Sequence, residues 1–385
     1  MNPWPVRAVE MVAQGGVASD AEVSPNPPRG LFHPAIDMLV AGGVSVIAGL
    51  LVFLVVGDEF AAGAVGLTLS VVLSDLINFP HFAHSYQLLY RGFIERLRNG
   101  SRIVKIRYWW AGVAAPAALV AYLFGAYLTE NPASLGMAAN LMLFLVGWHY
   151  MKQGFGVLVV LSARKAIFYS KAERRLFLFN GHAVWISAWM ALNDTFSEKA
   201  MLGIQYTTWQ VPGFLVVATS WLAVATTVGL VAALFRRWAA ARPISFTGLL
   251  GYGSALYLWV VARYLDPVYA LLVPSFHSLQ YLLFVWRYEI TKARVESARF
   301  DASFRTRRMV TRFAGFIAIG IILGWLGFTG LPILLQGVVA PDTSIYGPSV
   351  FVFMFAVGIN IHHYLIDNVI WRRENEDARR YLFAR

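Results

Sequence analysis

Apolar runs of about 20 residues, each long enough to cross some 30 Å of hydrocarbon, follow one another along nearly the whole chain, with no connection long enough for a soluble domain. Few folds accept such a pattern. Within lipid the backbone must satisfy its own hydrogen bonds, which leaves helices and closed barrels, and these runs are continuously apolar rather than alternating as barrel strands do. The expected fold is all-α, a polytopic membrane protein of about ten transmembrane helices. They fall at about 35–56, 62–90, 108–129, 134–163, 175–193, 211–235, 245–265, 267–288, 313–335 and 348–371. Composition agrees, with 58 % hydrophobic and 14 % charged residues.

Charge then orients the chain. Basic residues gather after the second, fourth, sixth and eighth spans, at Arg91 to Arg107, Arg164 to Arg175, Arg236 to Arg242 and Arg287 to Arg312. The alternate connections carry Asp58, Glu59, Glu130, Asp194, Asp266 and Asp342. The positive-inside rule places both termini in the cytoplasm of an inner-membrane, multi-pass protein. Orientation thereby accounts for the net charge of +11, and nucleic acid is not expected as a partner. Residues 1–31, rich in proline and small residues, are expected to be a disordered cytoplasmic tail without a removable signal peptide. Residues 32–372 form the single membrane domain, and 373–385 a solvated cytoplasmic extension. The basic stretch 290–312 suits an amphipathic helix on anionic lipid or a solvated loop.

The chain has no cysteine, which excludes disulfides, thiolate metal sites and a cysteine nucleophile. Histidine and carboxylate remain, and they recur in a pattern. His81, His277 and His362 are each followed, after eight intervening residues, by Tyr90, Trp286 or Trp371 and then by Arg91, Arg287 or Arg372. Counting 1.5 Å per residue back from each arginine sets all three histidines roughly 15 Å deep, at the bilayer midplane. The aromatic–arginine tails fit membrane anchoring. His149 lies on a fourth span, roughly 22 Å from Arg164 by the same count. Lys152 follows one turn later and needs a carboxylate, Asp75, Glu289 or Asp367 being available, or a wet cavity.

Local spacing refines the set. His84 shares a helix face with His81, and Pro80 before it frees a main-chain carbonyl. His362 and His363 point about 100° apart, so one of them faces a given centre, with His362 level with the other histidines. Asp367 is four residues after His363 and suits a carboxylate that fixes an imidazole tautomer. A single buried histidine is ordinarily an interhelical hydrogen bond; several on different helices at one level favour a metal site. Imidazole suits iron, copper and zinc, with iron or copper attractive for redox work in lipid. Haem needs only one or two of these histidines.

The contexts FPHFAHSY around His81, WHYMKQGFG around His149 and FHSLQYL around His277 resemble the Brp/Blh type of β-carotene 15,15′-dioxygenase, a multi-span non-haem iron family. The resemblance implies iron held by these histidines and an apolar substrate. The family's second histidine of the last motif falls here on Tyr281, and the acidic residues after its first two motifs are absent. A fourth ligand must then come from His362 or His363.

The function expected is a membrane-embedded iron oxidoreductase acting on an isoprenoid or acyl substrate. His81, His84, His149, His277, His362 and His363 are the candidate metal residues, and Lys152 and Asp367 the candidate catalytic ones. Partners would be the bilayer, a hydrophobic small molecule, and an electron-donor protein or a second copy. The alternatives are a haem- or quinone-binding subunit of an electron-transfer assembly and a proton-coupled transporter or lipid-binding protein.

Overall fold

The structure, a computed structural model, describes residues 30–51, 64–195, 199–262, 267–298, 300–372 and 375–383. Most of the expected tail at 1–31 and the ends of three expected spans, at 52–56, 62–63 and 263–265, lie outside these residues. The fold is helical apart from one small antiparallel pair, β1 (Ala200–Met201) with β2 (Ile204–Gln205).

Among the described residues, six helices are long and apolar enough to cross a membrane: α1 (Pro34–Leu51), α5 (Arg102–Leu128), α6 (Pro132–Arg164), α8 (Gly213–Ala239), α11 (Ala302–Val339) and α13 (Val350–Ile370). The other expected spans correspond to α2 (Ala64–Leu73) with α3 (Phe79–Tyr90), α7 (Lys171–Thr195), α9 (Phe246–Ala262) and α10 (Pro267–Glu296). These are helices too, but more polar or shorter. Short helices α4 (Phe93–Asn99), α12 (Thr343–Tyr346) and α14 (Glu376–Phe383) complete the set.

Burial separates a centre from a rim. In α13, 61 % of the apolar window is buried, against 11 % in α8. The outward faces are apolar: Phe214, Trp221, Val228 and Val338 are all exposed, the reverse of a water-facing surface. Inside, α13 packs on α3, α5 and α6, while α10 packs on α1, α9, α11 and α14. One apolar cluster holds Phe351, Phe353, Val357 and Ile361; another holds Leu89, Val285, Ile366 and Ile370. Helix α13 runs from the first into the second, and His363 lies near their junction.

Proline reshapes three helices in the same manner. Pro80, Pro116 and Pro332 each follow a five-residue π-turn, Ser74–Asn78, Trp110–Ala114 and Leu326–Gly330 respectively. A missing N–H and a ring that crowds the preceding turn favour a locally widened helix. Ahead of α3 this widening leaves the Asn78 carbonyl beside His81, where the site begins.

Two segments depart from expectation. The stretch 290–312 is neither a separate amphipathic helix nor a loop: α10 continues to Glu296 and α11 starts at Ala302, capped by the Asp301 side chain. The C-terminal extension is not solvated throughout, because α14 buries Ala378, Tyr381 and Leu382, with Tyr381 edge-on to Tyr288 of α10.

Candidate metal centre

Four histidines from four helices converge: His81 on α3, His149 on α6, His277 on α10 and His363 on α13. All are buried, as is Asp367. His81 Nε2 is 3.1 Å from His363 Nε2, and His149 Nε2 is 3.1 Å from His277 Nε2. The Asp367 Oδ2 atom lies 3.4 Å from His363 Nε2 and 3.8 Å from His149 Nε2. His149, His363 and Asp367 each offer a ligand atom, all within 4.8 Å of one another.

Hydrogen bonds on the far side of two rings set their tautomers. His81 Nδ1 is 2.8 Å from the Asn78 carbonyl oxygen, which has no proton to give, so Nδ1 carries the hydrogen. His363 Nδ1 is 2.8 Å from Ser85 Oγ, whose hydroxyl hydrogen goes to the Phe82 carbonyl at 2.7 Å. With its hydrogen so placed, that serine is an acceptor for His363 Nδ1–H. Both Nε2 atoms consequently present lone pairs to each other across 3.1 Å. Two lone pairs at that distance repel, and a cation between them converts the repulsion into ligation. Two metal–nitrogen bonds of about 2.1 Å meeting near a right angle would place their nitrogens about 3 Å apart, which the observed spacing matches.

The surrounding side chains hold this set in place. Tyr281 donates to Asp367 Oδ1 at 2.9 Å, leaving Oδ2 turned to the histidines. Tyr150 stacks on His277 with ring centroids 3.7 Å apart, and Tyr364 on His149 at 4.7 Å. His277 Nδ1 is buried with no hydrogen-bond partner among the described residues. Outer partners that fix an imidazole typically contribute about 10–100-fold in metal affinity. Ser85→Ala should weaken metal binding by about that factor while leaving the helices intact, measured by competition with a chelator.

Two of the sequence candidates lie outside the cluster. His362 is the level histidine by depth, but its Nε2–H donates to the Ala111 carbonyl at 2.6 Å and its Nδ1 accepts from Tyr86 at 2.8 Å. Both nitrogens are committed to helix contacts, and His363 supplies the fourth imidazole instead. One residue changes depth by only about 1.5 Å but direction by about 100°, and direction decides. His84, though buried, stacks on Phe316 and accepts from Gln87. It sits against Gly320, where a Cβ would come within 2.3 Å of the ring.

Among the proposed partners of Lys152, Glu289 is taken by Arg91, whose Nη1 lies 2.6 and 2.8 Å from its two carboxylate oxygens. Lys152 instead faces a cavity of about 510 Å³, whose wall includes His149, Tyr281, Tyr364 and Asp367. The centre thus opens to one side. Ser85, Ser278, Asn78 and Tyr281 were not singled out as site residues by sequence, although Ser85 stands one turn after His81 and Ser278 directly after His277.

Comparison with protein-family models, with curated proteins and with solved structures gives no match.

Proposed function

We propose that this chain is a ten-helix inner-membrane oxidoreductase with both termini in the cytoplasm, using non-haem iron to oxidise a lipid-like substrate. The observation that carries the metal is the convergence of four buried imidazoles and one carboxylate, with His81 Nε2 and His363 Nε2 3.1 Å apart and the far nitrogen of each of these rings held by its own partner. Iron is preferred because two histidines and one carboxylate beside an open position are the ligand set of non-haem iron oxygenases, and His149, His363 and Asp367 make such a group. A haem is disfavoured, since imidazole nitrogens 3.1 Å apart leave no room for a macrocycle between them. Iron would supply activation of dioxygen at the open position. The resemblance to the Brp/Blh family supports the same reading, and Tyr281, where that family's further histidine falls, here donates to Asp367.

The protein's own groups have separable roles. His149, His363 and Asp367 would hold the ion, with His81 and His277 beside them as further imidazole donors; Ser85 and the Asn78 carbonyl fix two imidazoles, and the cavity admits the substrate beside His149 and Asp367.

Metal analysis of the purified chain together with its optical spectrum tests the proposal. Near-stoichiometric iron without a Soret band is the expected result. A Soret band would favour the haem-binding reading, and absence of both metal and chromophore would overturn the oxidative reading altogether.

A further inference from the structure

The cavity beside the centre is unbalanced in charge. Lys152, Arg175, Arg372 and Arg379 line it, whereas Asp367 is the one carboxylate in its wall among the described residues. Asp367 is already engaged by Tyr281 and set against two histidines. Lys152, Arg175 and Arg379 make no ion pair or side-chain hydrogen bond among the described residues; Arg372 holds Asn368 through Nε at 2.6 Å and Nη2 at 3.1 Å. Cations brought together without carboxylates repel one another, and the apolar wall beside them offers no countercharge.

The rest of the wall is mostly apolar, with Phe155, Val159, Val160, Leu178 and Phe284 among its residues. The volume, about 510 Å³, lies within the roughly 300–1,000 Å³ typical of small-molecule pockets. Position adds a constraint. Lys152 is three residues beyond His149 on α6, about 4.5 Å along the axis, and Arg372 is five beyond Asp367, about 7.5 Å. Arg175, at the start of α7, and Arg379, on α14, are exposed and form the outer rim.

We infer that this cavity binds an amphiphile with an anionic head, a carboxylate or a phosphate, seated among Lys152, Arg175, Arg372 and Arg379, its chain lying on the apolar wall beside the His149–Asp367 centre. The inference rests on the proposed oxidative site only for what happens to the ligand, not for its binding. A neutral hydrocarbon leaves Lys152, Arg175 and Arg379 without a countercharge among the described residues, and a cationic amphiphile adds to the repulsion. An anion neutralises them and gains charge-assisted hydrogen bonds, which arginine forms in pairs with carboxylate or phosphate.

Binding of palmitate, hexadecyl phosphate, dipalmitoyl phosphatidate, methyl palmitate and hexadecylamine to the full-length protein in zwitterionic nanodiscs tests this, by native mass spectrometry and competition with labelled palmitate. Palmitate or an alkyl phosphate should bind at one per chain, with the methyl ester and the amine weaker by about 10-fold or more. Preference for phosphatidate over hexadecyl phosphate identifies a two-chain membrane lipid as the source, and the reverse a free single-chain amphiphile. The double variant Lys152→Gln, Arg175→Gln should lose about 10-fold or more in palmitate affinity with an unchanged thermal melt, and Lys152→Arg should restore most of the Lys152 contribution. Methyl palmitate binding as tightly as palmitate, or wild-type palmitate affinity in a folded double variant, overturns the inference. A chain without metal that still selects the acid over its ester overturns the oxidative reading alone. An iron-loaded chain indifferent to head charge overturns this inference and leaves the oxidative reading standing.

Discussion

Under the proposed iron reading, replacing His363 with alanine should lower metal affinity by at least about 100-fold, beyond the 10–100-fold effect of losing an outer partner, whereas His362→Ala should keep its metal. The two residues are adjacent on α13, equally buried to within a few per cent, and chemically identical, so the pair controls for everything except direction. His363 Nε2 faces His81 Nε2; His362 Nε2 faces a carbonyl oxygen. The cost of the His362 variant should appear in stability instead, about 1–3 kcal/mol, because Ala111 and Tyr86 lose their buried partner. Iron content by elemental analysis and unfolding by tryptophan fluorescence separate the two effects. Equal metal loss in both variants, with both still folded, would remove His363 from its assigned role.

That contrast also marks where sequence information ran out. Depth along a helix is a one-dimensional count: it sets His81, His277 and His362 level and His149 roughly 7 Å deeper, whereas the fold brings His81, His149 and His277 together with His363. It cannot choose between His362 and His363, which differ by about 1.5 Å in depth; the fold turns His363 toward His81 and His362 toward the Ala111 carbonyl. Rotation about the helix axis depends on how α13 packs against α3, α5 and α6, a property of the whole assembly. His84 failed for a related reason. Its spacing from His81 puts both on one broad face, but α11 approaches at Gly320 and takes His84 for packing. Tyr281 was visible only as a missing histidine; its hydrogen bond to Asp367 links α10 to α13, and no local pattern announces such a link. The long, continuous apolar runs make the helical class legible, since they are read residue by residue. Cavity and charge imbalance were invisible because Lys152, Arg175, Arg372 and Arg379 come from four helices or helix ends.

Arg91 shows a tail residue doing more than anchoring. Both oxygens of the Glu289 carboxylate contact its guanidinium, and Glu289 is 2 % exposed while Arg91 is 36 % exposed. The pair joins the end of α3 to α10, two of the four helices that bring histidines to the centre. Breaking a buried pair by removing one partner costs about 3–5 kcal/mol; solvent screening at the half-open Arg91 reduces that to about 2–4 kcal/mol. Glu289→Gln should therefore lower the unfolding temperature clearly, with the thirteen tryptophans as the optical signal, and Arg91→Met should do so at least as strongly because it leaves a carboxylate buried without a countercharge. The double change Arg91→Met, Glu289→Met should be less harmful than the sum of the single ones, since two apolar side chains leave no orphaned charge. Strict additivity would mean that the ion pair contributes nothing as a pair. If the pair also sets the spacing of α3 and α10, the single variants lose metal affinity in parallel with stability, and the double variant recovers both, because what the centre requires of these ends is a fixed separation rather than their charge.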